Sequence, residues 1–159
     1  NRKPIIGLYD INREGSGDMY SKGANLLHTI RQLAKDDEVW RQTLRGLNEE
    51  FYHSTVTTKE IEEYISMSIG IDLSKVFDQY LRDYRVPIFE YEIDDGELQY
   101  RWNNVIDGFD MPIEVIIDGE NKILNTSNEF KKIPIKNLYI NVDDDYYVFT
   151  KDLKIVISN

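Results

Sequence analysis

The sequence has no cysteine among its 159 residues. Disulfides, thiol nucleophiles and thiolate metal sites are therefore excluded within this chain, although the absence of cysteine does not choose between a reducing and an oxidising compartment. Histidine is scarce as well, and neither His28 nor His53 begins the H-E-x-x-H sequence that binds zinc on a helix. A phosphate-binding loop of the form G-x-x-x-x-G-K is also missing.

Long apolar segments are missing too. Uninterrupted apolar runs extend over only a handful of residues, whereas a helix needs about 20 to cross a bilayer, so we expect no membrane-spanning segment. The net charge is -10: residues 1–87 contain 14 acidic and 12 basic side chains, and residues 88–159 contain 15 and 7. Such an acidic surface repels phosphate groups, so nucleic acid is not an expected partner. The 41% of hydrophobic residues suffices for a buried core.

Apolar residues recur at helical spacing in the first half of the chain. Four helices are predicted: about Asp18 to Ala34, Asp37 to Tyr52, a third from a capping box at Thr57 and Glu60 to Gly70, and Asp72 to about Tyr84. The predicted inward residues of the first and fourth helices are Gly23, Leu26, Leu27, Ile30, Leu33 and Ala34, and Val76, Phe77, Tyr80, Leu81 and Tyr84. Adjacent carboxylates such as Glu62 and Glu63 are assigned to the surface. Short connections favour an antiparallel helical array.

Beyond Pro87 the pattern changes to short strands. Proline disfavours helix in the residue before it, so we place a domain boundary there, with a helical domain at 1–87 and a strand domain at 88–159. Turns at Asp95-Gly96 and Asp118-Gly119 indicate hairpins. The predicted strands are Ile88–Ile93, Leu98–Trp102, Ile113–Ile117, Lys122–Leu124, Ile133–Ile135, Leu138–Val142, Tyr146–Phe149 and Leu153–Ile157. The sequence therefore predicts an α+β fold, four helices followed by a small β-sandwich.

One segment near the N-terminus combines a tyrosine at a helix start with a pair of small residues and an apolar stripe. It reads Asp18-Met19-Tyr20-Ser21-Lys22-Gly23-Ala24-Asn25-Leu26-Leu27-His28-Thr29-Ile30-Arg31. This Tyr-x-Lys-Gly helix resembles the tyrosine helix of the aminopeptidase N family of zinc metallopeptidases. Residues 86–91, Val-Pro-Ile-Phe-Glu-Tyr, are similar to the start of that family's β-sandwich domain.

The resemblance implies that Tyr20 is a catalytic residue, whose hydroxyl hydrogen-bonds the oxyanion of the tetrahedral intermediate. It also implies a peptide substrate, and a zinc ion bound by an upstream catalytic domain of the same polypeptide. Residues 1–87 would then be the helical C-terminal part of the catalytic domain. The chain begins at Asn1 without methionine or leader, as expected of a cut within a longer protein. Alone, we expect it neither to bind zinc nor to hydrolyse peptides.

The residues also permit other interpretations. A tyrosine at the edge of a buried helix face serves packing equally well, with its hydroxyl at the rim. The family's Gly-x-Met-Glu-Asn motif, which binds a substrate's free amino group, is absent, so exopeptidase specificity does not follow. The alternative function is a noncatalytic protein–protein interaction module. A separated helical domain would further expose apolar surface around Gly23, Leu27 and Ile30, which predicts self-association.

Overall fold

The structure is a computed structural model that describes residues 2–6, 16–137 and 139–154. The chain divides between Tyr84 and Arg85 into two compact units, of which the first is helical and the second contains β-strands. Four α-helices precede seven strands in the described residues, so the predicted α+β fold class is confirmed. Within those ranges no helix has the length and apolar character needed to span a bilayer.

The helical unit is built from short, consecutively packed helices. A 3-10 turn at Gly17–Met19 leads into α1, and a π-helical segment at Asp78–Arg82 continues directly from α4. The α-helices are α1 Ser21–Ala34, α2 Asp37–Glu50, α3 Thr58–Ile69 and α4 Ser74–Phe77. Each helix contacts the next one along the chain, as expected for an array with short connections.

Local capping signals set several helix ends where the sequence predicts them. The Thr57 hydroxyl accepts from the Glu60 amide at 3.3 Å, and the Glu60 carboxylate accepts from the Thr57 amide at 2.7 Å, which completes the predicted capping box. Gly70 ends α3 in the left-handed conformation at φ 72°. Asp36 caps α2 by accepting from the Glu38 amide at 2.7 Å.

The last helix departs from its predicted form. The α-helix ends at Phe77 and the chain continues as a π-helix, whose i→i+5 hydrogen bonds turn the later residues away from the 3.6-residue period. Val76, Phe77 and Tyr80 are buried as predicted, but Tyr84 lies beyond the helix and is exposed. The inward assignment of Tyr84 is therefore wrong.

Glu62 on α3 is buried, which corrects its assignment to the surface. Its carboxylate receives two hydrogen bonds from the equally buried Arg82 guanidinium, at 2.8 and 3.2 Å. Burial of a carboxylate has a large desolvation free energy, which an ionic partner offsets. That partner lies twenty residues away, so the spacing on the helix carried no indication of it.

Close packing between α2 and α3 requires a glycine. A Cβ added to Gly46 would lie 1.9 Å from the Tyr64 hydroxyl oxygen, which is far inside van der Waals contact. The Tyr64 ring also meets Phe51 edge to face, with ring centroids 5.6 Å apart. Glycine destabilises a helix relative to alanine, but at position 46 its lack of a side chain allows the Tyr64 ring to lie close to the α2 backbone.

The strand unit contains two sheets. The four-stranded sheet has the order β5-β2-β1-β7, and the three-stranded sheet has the order β4-β3-β6. The strands are β1 Ile88–Asp94, β2 Glu97–Asn103, β3 Ile113–Ile117, β4 Glu120–Leu124, β5 Lys131–Pro134, β6 Ile140–Val142 and β7 Phe149–Asp152. Both predicted hairpins form, and Asp95, Gly96, Asp118 and Gly119 all have positive φ, as the favoured two-residue turns require.

Each sheet buries one apolar face, as expected for a small β-sandwich. Alternate residues of β2 and β3 are fully or nearly fully buried, namely Leu98, Tyr100 and Trp102, and Ile113, Val115 and Ile117. The Trp102 indole N–H donates to the Met111 carbonyl at 2.8 Å, and its ring meets Phe109 at 5.5 Å. Trp102 therefore joins β2 to the segment that leads into β3.

The last part of the chain pairs differently from the prediction. The predicted strand at Tyr146–Phe149 is wrong: Tyr146 lies in a turn, and β7 begins at Phe149 and pairs in parallel with β1. Leu153 and Lys154 are not in a strand, and residues 155–159 of the predicted Leu153–Ile157 strand lie outside the described residues. Leu138, the predicted start of another strand, also lies outside them, and β6 begins at Ile140.

A buried carboxylate joins three strands on the outer side of the larger sheet. Glu90 on β1 accepts from Arg101 and Asn103 of β2 at 2.8 and 2.9 Å, and from Lys151 of β7 at 3.0 Å. Burial by itself raises the pKa of Glu90, but hydrogen bonds from Asn103, Lys151 and Arg101 outweigh it and lower the pKa to about 2. The ionised form of Glu90 therefore stabilises the folded state.

We predict that Glu90→Gln lowers the stability of the strand unit by about 2 kcal/mol at neutral pH. The folded-state pKa lies below the ordinary value of 4.5, so the stabilisation is present above that value and is lost as the pH falls towards 2. Urea unfolding followed by Trp102 fluorescence, in a Trp40→Phe background, measures it. Glu92→Gln on the same strand is the control, and equal losses in both variants would contradict the prediction.

We also predict that Gly46→Ala lowers the stability of the helical unit by about 1 to 3 kcal/mol, because the new methyl overlaps the Tyr64 hydroxyl. The loss should shrink in a Tyr64→Phe background, which removes the overlapping oxygen. Gly23→Ala is the matched control: nothing lies within 4 Å of its added Cβ, so it should stabilise the helix by up to about 1 kcal/mol. Thermal unfolding followed by circular dichroism separates these outcomes.

Candidate functional site

Tyr20 lies at the junction of the 3-10 turn and α1, as its N-cap residue. Its φ and ψ of -73° and -58° are helical, and its carbonyl accepts from the Ala24 amide at 3.0 Å. The backbone of Tyr20 thus belongs to the first helical turn. Its side chain is 79% exposed, which disagrees with a packing role at the edge of a buried face. The phenol is therefore presented outward from a hydrogen-bonded backbone.

The start of α1 has no side-chain cap, although Ser16 and Asp18 are residue types that often provide one. The Ser16 hydroxyl donates instead to the Lys3 carbonyl at 3.5 Å, and Asp18 lies within the 3-10 turn. The helix also lacks an acidic residue in its first turn. The usual local groups that stabilise a helix N-terminus are thus replaced at α1 by contacts from elsewhere in the unit.

Lys22, two residues after Tyr20, is buried with only 5% of its surface exposed. Its ammonium donates to the Asp83 carbonyl at 2.6 Å, just after the π-helical segment. Burial lowers the pKa of Lys22, and the negative charges of Asp83 and Asp18 partly oppose this. The contact connects the first turn of α1 to the end of the last helical segment.

The outer side of α1 near Tyr20 is partly apolar. Met19 and Leu27 are 40% and 45% exposed, so Leu27 does not contribute to the core of the helical unit. Thr29 and Lys22 are buried, while Leu26, Ile30 and Leu33 are buried as predicted. Of the residues expected to form exposed apolar surface, Leu27 does so and Ile30, with 0% exposure, does not. The buried face of α1 therefore includes Lys22 and Thr29 in addition to Leu26, Ile30 and Leu33, and Leu27 lies outside it.

The two histidines lie on different segments of the helical unit, His28 on α1 and His53 after α2. His28 lies on α1 with its Nε2 3.4 Å from the Gln32 amide nitrogen, and His53 follows α2 at a φ of 53°, with its ring against Tyr52. Across residues 2–6, 16–137 and 139–154, no three His, Asp or Glu side chains are grouped so that they could hold a metal ion. The described residues therefore do not fit a zinc site.

Comparison with solved structures finds a similar fold in Legionella pneumophila aminopeptidase A, in its crystal structure in complex with aspartic acid. The two share 15% sequence identity with a TM-score of 0.61. The match covers 86% of this chain but 18% of that protein, so this chain spans less than a fifth of its length. No protein-family model matches the sequence, and no curated protein does either. At this identity the comparison shows the fold alone.

Sequence reasoning selected Tyr20 but assigned no role to Lys22 in the same motif. A lysine in a helical first turn is normally solvated, and its burial depends on an acceptor sixty-one residues later. One electrostatic feature of the sequence indicated the buried lysine. A cation is unfavourable at the positive end of a helix, so Lys22 in that position predicts a compensating contact.

We predict that Tyr20→Phe changes the free energy of unfolding of the helical unit by less than about 0.5 kcal/mol, because the phenol is exposed. Tyr80→Ala should cost about 3 kcal/mol or more, since Tyr80 is fully buried in the same unit. Urea titrations followed by far-ultraviolet circular dichroism provide the comparison. A large loss from Tyr20→Phe would indicate a packing role for the hydroxyl.

Proposed function

We propose that this chain is the C-terminal part of an aminopeptidase N-like zinc metallopeptidase, and that Tyr20 is its transition-state hydrogen-bond donor. The exposed position of the phenol at the start of α1 carries the proposal, because such a donor has to reach a substrate. The Tyr-x-Lys-Gly resemblance and the fold shared with part of an aminopeptidase support it.

The chemistry asked of Tyr20 suits a phenol. Attack on a peptide carbonyl places negative charge on its oxygen, and a donor aimed at that oxygen binds the transition state more tightly than the substrate. A tyrosine hydroxyl can donate a hydrogen bond to such an oxyanion while its proton stays on the phenol oxygen. An exposed ring on a backbone held by the helix keeps the donor accessible while limiting its movement.

Zinc, when bound, would polarise the peptide carbonyl and supply a water nucleophile. Its ligands and the general base are proposed to come from an upstream domain, because the described residues of this chain do not form a metal site. The strand unit is proposed as the β-sandwich that follows the catalytic domain. On this proposal the 159-residue chain by itself is inactive.

We predict that Tyr20→Phe in the full-length protein lowers kcat on a peptide substrate by about 100- to 1000-fold, with KM changed by less than about threefold. The hydroxyl interacts with charge that develops in the transition state, so its loss affects turnover more than binding. Tyr52→Phe is the matched control, since Tyr52 is also highly exposed in the helical unit and has no proposed role.

Two other results would point elsewhere. An unchanged kcat for Tyr20→Phe in an active enzyme would remove Tyr20 from the mechanism while leaving the peptidase assignment in place. A full-length protein with neither bound zinc nor peptidase activity would reject the enzyme and favour the noncatalytic interaction module. Metal analysis of the purified full-length protein, made alongside the kinetics, distinguishes the two.

A further inference from the structure

Lys22 occupies a position that is unfavourable for a lysine by local criteria. It lies in the first turn of α1, where the unpaired amides form the positive end of the helix dipole. It is also buried, although lysine is almost never fully buried without a partner. Two separate costs at one residue indicate that a specific contact compensates for them.

The compensating contact is the 2.6 Å hydrogen bond from the Lys22 ammonium to the Asp83 carbonyl. Asp83 follows the π-helical segment Asp78–Arg82 and has an extended backbone, with φ -117° and ψ 148°. Carbonyls at a helix C-terminus lack intrahelical donors and carry partial negative charge, which makes them suitable acceptors for a cation. Lys22 thus binds the negative end of one helical segment from the positive end of another.

The same bond restricts the backbone that carries Tyr20. Neither Ser16 nor Tyr20 provides a side-chain cap at this end of α1, and the bond from Lys22 to the Asp83 carbonyl is a contact with another segment that holds its first turn. Tyr20 is two residues from Lys22, and its exposed ring has little packing of its own to fix its direction. The position of the Tyr20 Cα and the direction of its Cα–Cβ bond therefore follow the orientation of the first turn.

We propose that Lys22 is a positioning residue for Tyr20, which holds the first turn of α1 against the Asp83 carbonyl and so fixes the point from which the phenol extends. This inference rests on the proposed function, because it assigns Lys22 a role in turnover that acts through Tyr20. It differs from a purely stabilising role, in which the loss of Lys22 lowers stability but leaves the tyrosine's contribution to turnover unchanged.

A double-mutant cycle in the full-length enzyme tests the inference. Lys22→Met keeps a stem of similar length and removes the donor, and should lower kcat about tenfold or more through misplacement of the phenol. In a Tyr20→Phe background the same substitution should change kcat by less than about twofold, since the hydroxyl is already gone. Lys59→Met is the control, because Lys59 is an exposed lysine of the same unit.

Amide hydrogen exchange of the 159-residue chain gives a second measurement that needs no activity. The Met19 and Ala24 amides, which donate to the Ser16 and Tyr20 carbonyls, should exchange about tenfold faster in Lys22→Met. Amides within α3 should be unaffected. Uniformly faster exchange throughout the helical unit, or loss of the fold, would show a general structural role and overturn the proposal.

The kinetic outcomes separate the two hypotheses. A normal kcat for Tyr20→Phe rejects the role of the phenol, and with it the basis of the inference. A reduced kcat for Tyr20→Phe with a normal kcat for Lys22→Met, or with fully additive losses in the double variant, rejects the positioning role alone.

Discussion

The hydrogen bond from the buried Lys22 ammonium to the Asp83 carbonyl connects the first helix of the helical unit to the end of its last helical segment. Hydrophobic burial draws these segments together but has no preferred direction. A charged donor and a carbonyl acceptor require a defined distance and angle, so this bond restricts how the segments are oriented. The exposed Tyr20 lies at the end that this bond holds.

Both units use charged side chains in the same way. Glu62 and Arg82 form a buried ion pair in the helical unit, and Glu90 binds Arg101 and Lys151 in the strand unit. In each case the buried charge connects segments that are distant in sequence. An unpaired charge in these positions would be costly, so each pair favours one arrangement of its segments over other compact ones.

The fold by itself does not identify the function of this chain. A helical unit followed by two small sheets is shared with part of an aminopeptidase of much greater length, and a shared fold at low identity does not carry a function with it. The feature of this chain that bears on its function is the tyrosine with its ring in solvent and its backbone in the first turn of α1. On the proposed function, this exposed phenol donates to a group outside the described residues.

The sequence by itself determined the features that depend on neighbouring residues. The capping box at Thr57, the end of α3 at Gly70 and the two Asp-Gly hairpins form because their hydrogen bonds and backbone angles involve residues at most a few positions apart. The strands predicted at Leu98–Trp102 and Ile113–Ile117 likewise form, as β2 and β3. The Tyr20 segment was selected in the same way, by a local motif.

Only the tertiary structure decided which charges are buried and where the helical period changes. Burial of Glu62, Lys22 and Glu90 depends on acceptors and donors 11 to 61 residues away, so no local spacing reveals it. The π-helix after Phe77 and the parallel pairing of β7 with β1 also arise from contacts between distant segments. Local hydrogen bonding is encoded within a few residues, whereas the stability of a buried charge depends on the whole fold around it.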